Sequence, residues 1–310
     1  MNPIPASDAA LPADVEFRRG TRDDTERCFQ VFLESVVDLT RRIGTPWDAD
    51  TMQEWTRFGW IYERLGNHAA EWWVAEDRTG GELVGYARSV ARGGLFELTE
   101  FFVRPGRQSA GVGRRLLELA FPPDRGDVRV IIATPDLRAL SRYYRAGTVA
   151  RFPIVSLTGA PARTDDAVLG LEVSRASTDD VTAIAAIERE VLEFDRGPDE
   201  LGWLLGQREG YLYRRDGRAV GLGFVAPSGT GPVAALAPAD QVPILLHLEA
   251  RAKALGISEV TFEVPMINEV AVRHLLDRRF RMDSFLTLLM ASRPFGQFDR
   301  FLGLSPQFVL

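Results

Sequence analysis

Residues 72–90 read WWVAEDRTGGELVGYARSV, two apolar runs flanking a polar break that holds Gly80-Gly81. That pattern predicts a β-hairpin. Residues 211–225, YLYRRDGRAVGLGFV, repeat it around Asp216-Gly217. Residues 130–147, VIIATPDLRALSRYYRAG, pass from an apolar strand through a turn into a helix, and residues 260–280, VTFEVPMINEVAVRHLLDRRF, do the same. Ahead of each set an acidic pair stands at a helix start, in Arg19-Gly20-Thr21-Arg22-Asp23-Asp24 and in Arg175-Ala176-Ser177-Thr178-Asp179-Asp180. Negative charge is favoured at that end of a helix. Gly85 and Gly221 lie 136 positions apart, and Ala139 and Ala271 lie 132 apart. A near-constant offset marks a tandem duplication.

Each copy reads helix, with room for a second, then hairpin, helix, strand, helix, strand. The fold class expected is α/β, a mixed sheet with helices on both faces, in two tandem domains. The join falls in residues 158–171, TGAPARTDDAVLGL, where Gly, Pro and Asp gather without an apolar period. The organisation expected is an N-terminal segment 1–14, a first domain 15–157, a linker 158–170, a second domain 171–293 and a tail 294–310. The tail's aromatics suit an edge strand or a cover over a cleft, and the sequence does not choose between them.

Composition narrows the function classes. Apolar residues make up 45% and charged residues 26% of the 310 positions, an ordinary globular balance. No apolar run reaches the roughly 18–20 residues of a membrane helix, and the first residues lack a signal-like pattern, so neither membrane nor export is expected and the location expected is the cytoplasm. The net charge is −6 and the arginines are scattered, which gives a nucleic-acid partner no support. The single Cys28 has no neighbour at metal-ligand spacing and reads as a small buried hydrophobe, so no metal is expected. His68, His247 and His274 read as surface or packing residues.

The most specific feature is FELTEFFVRPGRQSAGVGRRLLELAF, residues 96–121: a strand, a short turn and a helix opened by glycines. Gly111 and Gly113 allow a close backbone approach, and the N–H groups from Gln108 through Ser109, Ala110, Val112 and Arg114 lie where a helix dipole favours an anion. This is a phosphate cradle. A dinucleotide fingerprint needs a third glycine near Arg115 or Leu116, and a P-loop needs Lys-Ser/Thr after the last glycine, so NAD and ATP are disfavoured. The helix is expected to pack through Val112, Leu116, Leu119 and Ala120.

Val103-x-Pro105 followed by Gln108-x-x-Gly111-x-Gly113 resembles the coenzyme A motif of the GNAT acetyltransferase superfamily. Ala139, Tyr143 and Gly147 are similar to its second motif, although Asp136 stands where Asn is usual and Thr148 where an aromatic is usual. The resemblance implies acetyl-CoA, or another acyl-CoA, as co-substrate. The loop residues above would then hold its pyrophosphate. The strand residues Phe101, Phe102 and Val103, with Asp136, would contact the rest. It implies an N-acyltransferase acting on the amine of a small molecule. A non-catalytic acyl-CoA sensor and a protein or peptide N-acetyltransferase are the alternatives.

Transfer to an amine needs a base, an oxyanion donor and an acid for the leaving thiolate. Glu97 and Glu100 are the candidate bases. Strand alternation puts them on opposite faces. Glu97 is chosen because it lies six residues before Val103, the spacing at which the protein-type members of the superfamily carry their base, while many members use another residue or a water chain. Either also reads as a solvated or ion-paired strand carboxylate. By resemblance Tyr143 donates a proton to the thiolate, as a phenol of pKa about 10 can to a thiol of about 8.5; adjacent Tyr144 is expected in packing. The oxyanion donor would be a backbone N–H near Val103. Residues 44–72 form the region that varies with the acceptor in this superfamily, where Trp47, Trp55, Trp60 and Tyr62 suit either an apolar pocket or core packing alongside Met52. The second copy offers Asp240 near its helix start, Leu275 in place of Tyr143 and Arg279 in place of Gly147, while Asn268 and Ala271 keep the outline of the second motif. It is expected to be degenerate.

Overall fold

A computed structural model describes residues 14–108, 111–163 and 170–304. The chain forms two compact units that do not part at the join of the repeat. The first holds the chain up to Ala91, Phe96–Arg125 and Ser141–Gly147, and the second holds Arg92–Leu95, Gly126–Leu140 and the chain from Thr148 on.

In the first unit β1 (Val15–Arg19), α1 (Thr25–Arg42), α2 (Thr51–Asn67), β2 (Glu71–Asp77), β3 (Leu83–Arg92), β4 (Leu95–Val103) and α3 (Val112–Ala120) follow in order. The strands lie in the sequence β1-β2-β3-β4. β2 and β3 form the expected hairpin, antiparallel with Val74 opposite Tyr86. β3 is buried at nearly every position, as a strand covered on both faces must be. On one face, Phe29 and Phe32 of α1 pack on Tyr62 of α2 with ring centroids 5.0 and 5.4 Å away, and Phe32 meets Phe102 at 5.2 Å. On the other lies α3: a Cβ at Gly85 would stand 3.2 Å from Leu116 Cδ1 and 2.7 Å from the Phe102 carbonyl oxygen. α1 is entered through a capping box of Thr21 and Asp24, and the buried Asp24 carboxylate also holds Arg18 and Arg27 at 2.7 and 2.9 Å.

Within α3 the buried leucines are Leu116 and Leu117, whereas Leu119, expected in the core, is half-buried. Leu117 falls four residues after Gly113 and three before Ala120, which places it on the stripe facing the sheet. β1 and β7 were not anticipated: VEFRR and EVSR are short and charged, and become strands by pairing with longer apolar neighbours.

The second unit holds β5 (Val128–Ala133), the first half of α4 (Leu137–Arg145), β6 (Val149–Gly159), β7 (Glu172–Arg175), α5 (Val181–Leu192), α6 (Gly197–Gln207), β8 (Glu209–Arg215), β9 (Arg218–Ala226), β10 (Gly229–Ala235), α7 (Gln241–Ala254), β11 (Val260–Pro265), α8 (Glu269–Asp277), β12 (Arg281–Ala291) and β13 (Phe301–Leu302). Five strands run β13-β10-β9-β8-β7, and four run β5-β12-β6-β11. The four-stranded order alternates between copies. β12 pairs with both β5 and β6 of the first copy, and β6 pairs with both β12 and β11 of the second. Each copy's closing strand therefore has only strands of the other copy for neighbours.

The duplication is visible in side chains as well as in strands. Glu71 at the head of β2 is held by Arg19, by Arg125 at 3.5 Å and by the Trp73 indole N–H at 3.1 Å. Glu209 at the head of β8 is held in the same way by Arg175 at 3.2 Å, Arg251 at 3.0 Å and the Tyr211 hydroxyl at 2.6 Å. Gly147, φ +87°, and Arg279, φ +66°, both end their helices in the left-handed region, which a glycine occupies without strain and an arginine does not.

Candidate active site

β4 divides its side chains by parity. Phe101 and Val103 face α3: a Cβ at Gly113 would stand 3.2 Å from the Phe101 ring and 3.5 Å from Val103 Cγ2. Glycine at 113 thus lets the helix begin against the strand. Phe102 turns the other way, onto Phe32 and Tyr86, so its side chain lies on the face away from α3. Glu97 shares the parity of Phe101 and is fully buried.

α3 opens at Gly111 with φ +84°, a left-handed residue in the N-cap position, and carries no acidic residue in its first turn. The N–H groups of that turn are the ones that helical bonding does not use, so the helix start is suited to an anion. Gln108 folds back, its side-chain amide donating to the Val103 carbonyl at 3.2 Å. Arg114 is half-buried, with Glu118 at 3.9 Å. Ser109 and Ala110 lie outside the described residues.

Tyr143 is buried, and its ring meets Phe101 at 5.9 Å and 63°. Its own helix turns it there: Tyr144, expected in packing, is instead 51% exposed, one residue and some 100° further round. Asp136 precedes α4 and accepts the Arg138 backbone N–H at 2.9 Å, the task of a helix N-cap. The structure thus brings Gly111, Gly113, Phe101, Val103 and Tyr143 together in one unit, with Gln108 beside them.

Glu100 is committed elsewhere. The Tyr86 hydroxyl donates to it at 2.7 Å, and the Arg88 guanidinium stands 3.0 Å away, itself 4.1 Å over the Trp72 ring and donating to the Tyr62 carbonyl at 3.0 Å. Burial pushes the Glu100 carboxyl up against the pull of Arg88 and the Tyr86 hydroxyl. Burial works against the Arg88 charge most strongly, but Glu100 together with the Cys28, Tyr86 and Tyr62 side chains outweighs it and Arg88 is raised. The geometry fits an ion pair sealed between β3 and β4. Sequence reasoning missed Arg88, whose only signal was a charge in the apolar run YARSV on the parity of Tyr86.

Within residues 44–72, the stretch expected to vary with the acceptor, Thr51–Asn67 form α2. Tyr62 is core, and Trp55 meets Phe29 at 5.1 Å, while Met52 is 72% exposed. Among the described residues no group of His, Cys, Asp and Glu is arranged to hold a metal ion, and no helix is long and apolar enough to cross a membrane.

Residues 68–147 match the family model of the acetyltransferase (GNAT) domain, a span that holds β2, β3, β4, α3, β5 and α4 and begins just after α2. The chain carries a GNAT acetyltransferase domain. This family uses acetyl-CoA. An acetyltransferase candidate from Pyrococcus horikoshii is similar in fold to the whole chain, with a TM-score of 0.70, 16% identity and 96% of each chain covered. A GCN5-related N-acetyltransferase from Sphaerobacter thermophilus gives 0.61 at 15% identity, covering 92% of this chain and 98% of that one. A tandem GNAT protein from the clavulanic acid biosynthesis pathway gives 0.52 at 17%, covering 90% and 99%. At these identities the likeness is one of fold. No curated protein matches the sequence.

Proposed function

We propose that the protein is an acetyl-CoA-dependent N-acetyltransferase that acetylates the amine of a small molecule by direct transfer, with its site in the first copy. The observation that carries this reading is the left-handed Gly111 at the start of α3, together with Gly113, Phe101 and Tyr143 on one face of β4. A helix start with a left-handed glycine and no acidic residue in its first turn offers a diphosphate the N–H groups that helical bonding does not use.

When bound, acetyl-CoA supplies an activated thioester. The backbone N–H groups from Gln108 to Arg114 would hold its diphosphate, and Phe101 and Val103 would lend their backbone to the pantetheine arm. A backbone N–H near Val103 would receive charge that develops on the carbonyl oxygen. Tyr143 would give a proton to the departing sulfur, directly or through water. Glu97 would take the proton from the attacking amine. Glu100 is set aside for the base, since Arg88 and Tyr86 already hold its oxygens.

One observation favours a non-catalytic acyl-CoA sensor: Glu97 is fully buried and Glu100 is ion-paired, so neither carboxylate meets solvent. Thiol release from acetyl-CoA, followed across a panel of small amines and peptides, separates the readings. Release that depends on a small amine and falls in Tyr143→Phe supports the transferase. Tight binding with only slow, amine-independent hydrolysis supports the sensor.

A further inference from the structure

The 132-residue offset that relates Ala139 to Ala271 carries Phe101 and Val103 onto Val233 and Ala235 of β10, Asp136 onto Asn268, and β5 onto β11. The C-terminal segment lies on those counterparts. β13 pairs antiparallel with β10, Leu302 opposite Val233 and Phe301 opposite Ala234. One residue on, the Gly303 N–H donates to the Glu263 carbonyl of β11 at 2.8 Å. The tail thus bridges β10 and β11 with its backbone, and Phe301 and Leu302 are buried there.

The polar groups at the two helix starts are engaged as well. Gln241, the first residue of α7, donates from its side-chain amide to the Asp299 carbonyl at 2.9 Å. Asn268, the N-cap of α8, donates to the Phe301 carbonyl at 3.3 Å and to the Gln241 side chain at 2.6 Å. Both side chains are wholly buried. Gly231 is closed over by the Gly303 carbonyl, which a Cβ at 231 would strike. At the head of α7 Asp240 stands in the N-cap position, 2.5 Å from Arg215, where it would repel a diphosphate.

We propose that residues 299–303, a turn running into β13, are a resident segment whose strand fills the groove in which the second copy would otherwise take the pantetheine arm of an acyl-CoA, and that detaching the segment opens this groove to pantetheine-type ligands. The proposal rests on reading the first copy as an acyl-CoA site. The chemistry of occupant and ligand is alike: both are extended chains carrying amides that pair with a strand edge. With Asp240 closing the diphosphate end, the uncovered groove would admit S-acetylpantetheine, which lacks the nucleotide, in preference to acetyl-CoA.

The test is hydrogen exchange on the full chain with S-acetylpantetheine or acetyl-CoA, comparing wild type with Phe301→Asp/Leu302→Asp and with the milder Gln241→Ala. In wild type neither compound should alter exchange at residues 229–235 or 260–265. In whichever variant keeps a cooperative thermal transition, S-acetylpantetheine at about ten times its Kd should slow exchange there about tenfold. Slowing at 229–235 in wild type, or none in a folded variant, would overturn the proposal. A disulfide between Val233→Cys and Leu302→Cys adds a check that keeps the strand in place: acetyl-CoA should still protect residues 101–117, and loss of that protection would mean the tail must move. Absence of acetyl-CoA protection at 101–117 in every sample would count against the first-copy site alone, because the tail is read at 229–235.

Discussion

At the start of α3 the chain presents glycine in a left-handed turn, backbone N–H groups and no acidic side chain; at the start of α7 it presents Asp240, held by Arg215. Beside α3 stands Tyr143 on Phe101, and beside α7 the corresponding Leu275 is core, with the tail laid along β10. The surrounding frame is unchanged, since Glu71 and Glu209 keep the same kinds of partner at the same place in each copy. What this teaches is that the frame and the site respond to different pressures. The anchor holds strand to strand and serves any use of the fold. On the proposed reading the start of α3 would take a phosphate, and the Asp240 carboxylate would make the start of α7 refuse one.

The comparison is broken most violently by separating the copies. A chain ending at residue 169 lacks β11 and β12, which are both neighbours of β6 and one neighbour of β5. It should fail to give a soluble protein with a cooperative melt, because unpaired strand edges aggregate; a well-behaved fragment would show that the interleaving is dispensable. Next in size, Glu100→Ala leaves Arg88 buried without its partner and should cost about 3–5 kcal/mol in denaturant unfolding. The second copy has Pro232 at the corresponding position and no such dependence. Tyr143→Phe should lower kcat about a hundredfold, within the range of general acid catalysis, with little change in KM for acetyl-CoA. Leu275→Tyr should restore nothing.

The smallest effect is at the helix entries. Burial acts to raise the Asp24 carboxyl, but Arg18 and the Thr21 bonds outweigh it and hold it below its ordinary 3.8. A carboxylate lowered on folding stabilises the fold above its unfolded value and loses that contribution as the pH falls through the folded one. Asp24→Asn should therefore cost about 1 kcal/mol at neutral pH and flatten the loss of stability below pH about 4, partly screened because Arg18 and Arg27 are about a third exposed. Asp180 caps Ser177 at 3.0 Å as Asp24 caps Thr21, and its ion pair is to Arg214 at 3.5 Å, so Asp180→Asn should cost less than about 0.5 kcal/mol in the same unfolding measurement.

Much of the frame was legible because it is local. The hairpins follow from period-two runs around Gly80-Gly81 and Asp216-Gly217, and the opposite facing of Glu97 and Glu100 follows from strand parity. The positions near the glycine loop were legible because few residue types allow that backbone. The interleaving of β5, β12, β6 and β11 was not, since each strand reads the same whichever copy supplies its neighbours. Nor was the seat of the tail: its aromatics suited an edge strand or a cover, and as β13 it forms the edge of the five-stranded sheet while bonding through Gly303 to β11. Arg88 escaped because a charge inside an apolar run declares its partner only in three dimensions.

The most direct measurement is calorimetric titration of acetyl-CoA into wild type and into Gly111→Asp with Gly113→Asp. A carboxylate set against a diphosphate costs several kcal/mol, so binding should weaken at least about a hundredfold in the double variant. The account predicts one molecule bound per wild-type chain and that binding lost in the variant. Two molecules per chain, or binding that survives both aspartates, would contradict it.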